Sequence, residues 1–351
     1  EDKATAEQKA LINKLAQEFA GELQGLGVRV QRLEDGAKRI VLQGNAMFRY
    51  DQETGKPAGS TAYANQKNMN LDLLATYNQG DGWAVTYESE WTRKYDDPSY
   101  SNAEMLSTQH EQQYITSGKH FMVGKHKYAP GYGLALNGSI QGVQYMIGDD
   151  NLAAILNMAH TSDTARINGT ANAYADLRTA ELVWAVNSNT HLRADYERVE
   201  NVKNYTGYTK YSGIGGDTQF GDIKLIAAAS KVDLDTDTNY DAKAYLAKIQ
   251  FKEADKDVAH SSDLFIAYSK LPVANTLDQG DEYTTSTVSA HRDNYFTNFK
   301  GTQIGFHYVP MKNTLVTVWY MTGKTIEGDT TYGLAAGDNV KIVRAQAQFF
   351  F

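Results

Sequence analysis

From Lys38 to its last residue the chain alternates polar and apolar side chains with a period of two, broken repeatedly by turn residues. The pattern predicts sixteen strands, near residues 38–50, 68–79, 82–94, 111–118, 119–127, 139–148, 151–162, 172–187, 189–200, 210–221, 222–233, 241–254, 261–271, 300–310, 314–324 and 338–351. The connections alternate in length. Odd-numbered strands run into long polar loops such as DQETGKPAGSTAYANQKN at 51–68, and even-numbered strands into tight turns such as QGDG at 79–82, NSN at 187–189 and PMKN at 310–313. An even strand count, with short turns at one end and long loops at the other, is the pattern of a membrane-spanning barrel.

The two faces of each predicted strand differ in kind, because successive side chains point to opposite sides of the backbone. Strand three sets Trp83, Val85, Tyr87 and Trp91 against Thr86, Glu88, Glu90 and Thr92. A two-sheet sandwich accepts the same alternation. Against it stand aromatic residues near strand ends on the apolar face (Tyr77, Trp83, Trp91, Trp184, Tyr196 and Tyr320), as an interfacial girdle requires. The other face carries Asp72, Glu88, Glu90, Arg193, Asp195, Glu197, Lys248, Lys252 and Arg344, a set that a water-filled lumen accommodates. The ending KIVRAQAQFFF becomes the last strand, with Phe351 placed in the girdle and Phe350 turned inward without an evident reason. Two cations, Lys125 and Arg178, fall on the apolar face, where a bulge, a subunit interface or snorkelling could accommodate them.

The first 36 residues follow another period. Ile12, Leu15, Phe19, Leu23, Leu26, Val30 and Leu33 are spaced 3, 4, 4, 3, 4 and 3, a heptad-like seam with one irregularity. Gly21, Gly25 and Gly27 weaken that helix, and Thr5 with Gln8 forms a capping-box pattern at its start. The expected organisation is a coiled-coil stalk over 1–36 and a barrel over 37–351. The fold class is therefore all-β, a transmembrane antiparallel β-barrel of 16 strands preceded by a short N-terminal α-helical coiled-coil stalk.

No apolar run reaches the length of a spanning helix; the best, LAAILNMA at 152–159, covers under half of it. The net charge of −8, with no long basic run, argues against nucleic acid as a partner, and the absence of cysteine excludes thiol chemistry and cysteine zinc sites. His110-Glu111 lacks the second histidine of a zinc helix, Gly131-Tyr132-Gly133 lacks a phosphate-loop lysine, and His160 near Ser162 and Asp163 defines no triad without geometry. No enzymatic activity and no cofactor are expected. The stretch DLDTDTNYD offers a weak calcium loop through Asp233, Asp235, Asp237 and Asp241, but Thr238 stands where glycine is needed and the bidentate glutamate is missing.

The segment ending GVRVQRLEDG, the strand IVLQGNAMFRY behind it, the stretch KHKYAPGYGLALNGSIQGVQY and the final FFF resemble the OmpM-type, peptidoglycan-tethered major porins of diderm Firmicutes. That resemblance implies a homotrimeric channel in the outer membrane, a stalk in the periplasm, and passive diffusion of ions and small hydrophilic solutes. It also implies that the terminal aromatic is the signal read for barrel insertion. In that family an S-layer-homology domain binds peptidoglycan or a secondary cell-wall polymer, so tethering is expected only through such a domain, which these residues do not include. By resemblance to trimeric porins, the loop after strand five, His126 to Gly138, folds inward with Lys127, Tyr132 and Leu134. The expected constriction then sets His126 and Lys127 against Arg49, Glu88, Glu90, Arg193, Asp195 and Arg344. Two other readings are a structural tether whose pore is secondary, and a soluble β-rich binding protein.

Overall fold

The computed structural model describes residues 5–53, 66–94, 107–161, 166–167, 170–171, 175–200, 207–234, 237–272, 277–279, 298–328 and 335–351. It opens with a helix, α1 (Ala6–Lys38), started by a reciprocal cap. The Gln8 N–H donates to Thr5 Oγ1 at 3.3 Å and the Thr5 N–H to Gln8 Oε1 at 2.9 Å, so two N-terminal donors are satisfied without the helix ladder. The seam residues Ile12, Leu15, Phe19, Leu26 and Val30 are exposed, so α1 does not bury its apolar stripe against the rest of the chain.

Sixteen strands follow: β1 (Ile40–Glu53), β2 (Gln66–Gly80), β3 (Trp83–Lys94), β4 (Ser107–Ser117), β5 (Phe121–Tyr128), β6 (Leu136–Gly148), β7 (Leu152–Thr161) and β8 (Asp176–Asn187). The second half comprises β9 (Thr190–Glu200), β10 (Thr209–Phe220), β11 (Ile223–Leu234), β12 (Asp237–Phe251), β13 (Ser262–Leu271), β14 (Phe299–Tyr308), β15 (Thr314–Thr325) and β16 (Asn339–Phe350). Each pairs antiparallel with its neighbour in sequence, and β16 pairs with β1, so the sheet closes and leaves no edge. All sixteen strands expected from the alternation are present.

Two connections depart from the expected alternation. β11 and β12 stay paired to Leu234–Asp237, with only 235–236 between them, although this junction lies at the long-loop end. The acidic stretch is therefore mostly ladder and not a loop. Asp233 contacts Lys231 at 3.2 Å, Asp237 and Asp241 belong to β12, and Asp235 lies outside the described residues, which removes the loop geometry that a calcium hand needs. At the other end the β12–β13 turn is long, 252–261, and crosses the mouth. Its Lys256 carbonyl accepts from the Asn313 N–H at 2.7 Å. There Phe350 turns inward and, with Leu315 and residues 253–256, lines a cavity of about 590 Å³, which is the packing its sequence position did not reveal.

The other turns are short because their residues tolerate the required backbone. Gly80, Asp81 and Gly82 all take positive φ (104°, 53° and 80°), a run that L-residues with bulky side chains avoid. Asp149 accepts the Asn151 and Leu152 N–H groups at 2.8 and 3.0 Å, and these bonds hold its carboxyl below the usual carboxylate range.

The seam between the first and last strands is closed by the final residue. Gly44 and Phe351 exchange two backbone hydrogen bonds, each 3.0 Å, and a Cβ on Gly44 would lie 2.7 Å from the Phe351 ring. The ring thus occupies the space that the glycine leaves, and Phe48 meets Phe349 edge-on beside it at 6.3 Å. Substituting Gly44 with valine is expected to displace Phe351 and lower the temperature at which the barrel loses its compact gel migration.

Outside, the wall is apolar. Leu42, Val85, Ile115, Ile147, Leu156, Leu182, Ile214, Ile249, Leu264 and Ile304 are exposed, far more contiguous apolar surface than a water-solvated protein presents. Trp83, Trp184 and Phe351 stand on this face toward the short-turn end, with Tyr77, Tyr145, Phe220, Phe251 and Tyr308. Tyr196 and Tyr320 lie higher on the same face, and Trp91 is half-buried near the long-loop end. No helix among the described residues is long and apolar enough to cross a membrane.

Candidate functional site

The interior is asymmetric because the β5–β6 hairpin leaves the wall. β4 pairs with β5 only as far as Gln113–Lys125, whereas β5 stays paired to β6 through Tyr128–Gly138. Beyond Lys125 the backbone ladder to β4 ends, leaving side-chain contacts such as the Lys127 N–H to Gln112 Oε1 at 3.4 Å, and the hairpin leans into the barrel. Its tip, residues 129–135, contains a short 3-10 turn, Pro130–Gly133, in which Gly131 and Tyr132 both adopt left-handed backbone (φ 54° and 67°). The ladder runs slightly past the expected strands 119–127 and 139–148, since Tyr128 and Leu136–Gly138 also belong to it.

The tip rests on an acidic shelf from β8 and β9. The Gly131 N–H donates to Glu181 Oε1 at 3.2 Å, and the approach is so close that a Cβ on Gly131 would fall 1.7 Å from Asp195 Oδ1. Only glycine fits there, for its left-handed φ and for the missing side chain alike. The Tyr132 hydroxyl donates to Asp217 Oδ2 at 3.3 Å on β10, and Arg193 lies 5.5 Å over the Tyr132 ring while reaching Glu181 at 3.3 Å. Glu181, Asp195 and Glu197 are buried beneath this cover. Apolar packing holds it down: Tyr132 and Leu134 sit among Ala228, Ala244, Leu246 and Leu271, and Tyr128, Ala135 and Leu136 among Leu177, Val199, Tyr211 and Val232.

A second loop takes part that the sequence did not announce. The Leu277 N–H donates to the Ala135 carbonyl at 2.8 Å, and Asp278–Gln279 pairs in parallel with Leu136–Asn137. Residues 277–279, from the β13–β14 connection, therefore add a short strand to the inward hairpin.

What stays open is a cavity of about 450 Å³ on the opposite side, walled by β1–β3 and β12–β16. Asp72, Glu88 and Glu90 line one flank, and Arg49, Arg344 and Lys248 another, with Lys127 reaching across from β5 to Glu88 at 3.3 Å. The cations are held in place. Arg344 donates through Nε and Nη2 to the two oxygens of Asp51 at 2.6 and 2.8 Å and lies 4.8 Å over the Trp319 ring. Arg49 Nε donates to Gln346 Oε1 at 2.9 Å. Lys248 lies 4.6 Å over the Phe265 ring, and His307 Nδ1 contacts Asp263 at 2.7 Å. On the acidic flank Asn70 donates to Glu90 at 2.5 Å and Gln112 to Glu88. Such fixed, opposed charges around confined water focus the field across it.

The expected constriction set is thus divided. Arg49, Glu88, Glu90, Lys127 and Arg344 surround the open cavity, whereas Tyr132, Arg193 and Asp195 form the contact between hairpin tip and wall. His126, carried by the inward hairpin itself, is fully buried, edge-on to Tyr114 of β4 at 6.4 Å. It does not line the cavity, contrary to the expectation that it supplies constriction charge. Asp51, Asp263, His307, Phe265 and Trp319 were not anticipated in the lumen. Alternation alone would have turned each inward had β1 been read three residues further and the interior of β13–β15 been followed.

No sequence-family profile matches the chain, and no curated protein sequence matches it. Solved structures do. The chain is similar to OmpF of Salmonella typhi in complex with daunomycin, at 13% identity over 89% of this chain and 97% of that one, with a TM-score of 0.57. It is similar to OmpT, an outer membrane protein of Vibrio cholerae in its trimer form, at 13% identity over 89% and 99%, with a TM-score of 0.53. The outer membrane channel DcaP of Acinetobacter baumannii matches at 15% identity over 89% and 97%, with a TM-score of 0.52. At these identities the likeness shows a shared fold, a closed sixteen-stranded antiparallel barrel.

Proposed function

We propose that this chain is an outer-membrane porin, a passive diffusion channel for ions and small hydrophilic solutes. One observation carries the reading: an apolar, aromatic-edged exterior surrounds an interior that an inward hairpin narrows to a charged cavity. A barrel of this strand number is too wide for its own side chains to fill, so the uncovered side holds water. The similarity to OmpF, to the trimer form of OmpT and to the DcaP channel supports both the channel role and self-association. The resemblance to OmpM-type porins adds that α1 is a periplasmic stalk directed toward the cell wall, on the side of the short turns and of Phe351. The exposed seam along α1 supports a coiled coil formed with copies of itself. Planar-bilayer recording tests the reading: three equal conductance steps per insertion are expected, and an inserted protein without conductance would overturn it.

Both flanks of the cavity bear charge, so wild-type selectivity is expected to be weak. Lys127→Glu reverses the cation that reaches Glu88. It is expected to raise the cation-to-anion permeability ratio roughly three-fold, the effect of about one kT in local potential, read as a reversal potential in a salt gradient. For the stalk, Leu15→Ser with Phe19→Ser removes two seam residues. Spin labels at Gln17 are expected to show short inter-subunit distances in the parent and broad, long ones in the variant, with barrel migration unchanged.

A further inference from the structure

On the outer face, at the long-loop end, the register of the sheet lines up like charges. Arg178 on β8 is directly opposite Arg198 on β9, which is opposite Lys210 on β10. Further round the wall, Lys270 on β13 is opposite Lys300 on β14, which is opposite Lys324 on β15. Side chains directly opposite on one face of an antiparallel pair stand roughly 5 Å apart at Cβ, and like charges there are destabilising. Each row therefore needs an anion.

The first row has one. Glu200 contacts both Arg178, at 3.8 Å, and Arg198. The second has none among the described residues: Lys270 lies 5.8 Å over the Tyr245 ring, and no carboxylate lies in salt-bridge range of Lys270, Lys300 or Lys324. Directly beneath this row the outward rungs turn apolar. Tyr268, Thr302 and Thr322 come next, then Ile266, Ile304 and Tyr320, then Leu264, Phe306 and Val318. The lysines thus sit at the upper border of the band that faces hydrocarbon, where a phosphate ester bonded to a lipid would lie.

We infer that Lys270, Lys300 and Lys324 form a binding site for the phosphate headgroup of membrane lipids in the leaflet nearest the long loops. Three ammonium groups on neighbouring strands surround one dianionic phosphate, while the acyl chains run down over Ile266, Ile304 and Phe306. The assignment rests on the membrane-spanning reading of the barrel. It also gives Arg178 its place, since the cation that fitted an apolar face badly lies in an equivalent row on β8–β10.

The test reconstitutes the whole protein into vesicles of phosphatidylcholine and phosphatidic acid in equal parts, extracts it in mild neutral detergent and measures the lipid retained by mass spectrometry. The parent is expected to retain phosphatidic acid about ten-fold over phosphatidylcholine, and K270Q/K300Q/K324Q to lose most of that preference, consistent with the contribution of each lysine near an anionic surface. Heat-modifiable migration verifies that the variant barrel is folded. Equal retention by the parent, or an unchanged preference in the folded variant, overturns the site while leaving the membrane reading intact. Saturable binding of inorganic phosphate without lipid preference would identify a free-anion site and also overturns it. Failure of the parent to enter vesicles overturns the membrane reading, and the lipid site with it.

Discussion

Arg344→Met is expected to destabilise the barrel by about 3–5 kcal/mol, the loss typical of removing one partner from a buried ion pair. Asp51 and Arg344 side chains are only 2% and 4% exposed, and the two hydrogen bonds between them are the principal compensation for their burial. Deleting the guanidinium leaves a carboxylate inside the wall without its cation, and also strips the cation from the face of Trp319. The loss is registered at the β1–β16 seam, where Asp51 and Arg344 are directly opposite. Urea unfolding in detergent, followed by tryptophan fluorescence, measures it. Asp51→Leu combined with Arg344→Met removes both charges and is expected to recover most of the loss, because an apolar pair of similar volume carries no desolvation cost. A double variant as unstable as the single one would show that the pair is not the origin of the effect.

Gly131→Val is expected to lower both stability and conductance. The position combines a left-handed φ of 54° with a Cβ direction that ends 1.7 Å from Asp195 Oδ1. A β-branched residue there costs about 1–2 kcal/mol for the backbone alone. Lifting the tip to relieve the clash separates the Gly131 N–H from Glu181, which keeps its bond from Arg193, and so adds about 0.5–1.5 kcal/mol for the one hydrogen bond lost. The hairpin can yield only toward the open side, since the wall stands behind Asp195, so the channel narrows and single-channel current falls. Gly221→Ala is the comparison. Gly221 has a similar φ of 57° with no atom within 4 Å of the added Cβ, so only the backbone cost of about 1–2 kcal/mol is expected and conductance stays at the parent level. Equal conductance in Gly131→Val and the parent would mean that the tip does not bound the permeation path.

These two residues also mark where reading the sequence stopped. The sixteen strands were legible because a half-buried strand writes its period into the chain, and the reciprocal cap at Thr5 and Gln8 was legible because it spans only three residues. Arg344 could be turned inward from alternation, but not assigned to Asp51, 293 positions away, since alternation is unchanged when a register slips by two. The hairpin after β5 was anticipated only by resemblance, and its lean toward β8–β10 depends on Gly131 meeting Asp195, a contact that no local pattern encodes. His126 has the right parity for the interior, but it is packed against Tyr114 of β4 and does not reach the cavity, a contact that parity does not reveal. Phe350 was legible as inward, but its company of Leu315 and the 253–256 turn follows from a turn whose length was underestimated.

Because the hairpin occupies the β8–β10 side, the open cavity is pressed against the strands that join the two ends of the chain. Under the proposed function, Arg49, Arg344 and Gln346 therefore answer to two demands at once, fastening β1 to β16 and setting the field a passing solute would cross. On that function, divergence in what passes is expected on β2 and β3, at Asp72 and Glu90, which border the same cavity but do not belong to the β1–β16 pairing. Variation that retunes permeability without loosening closure should accumulate there first.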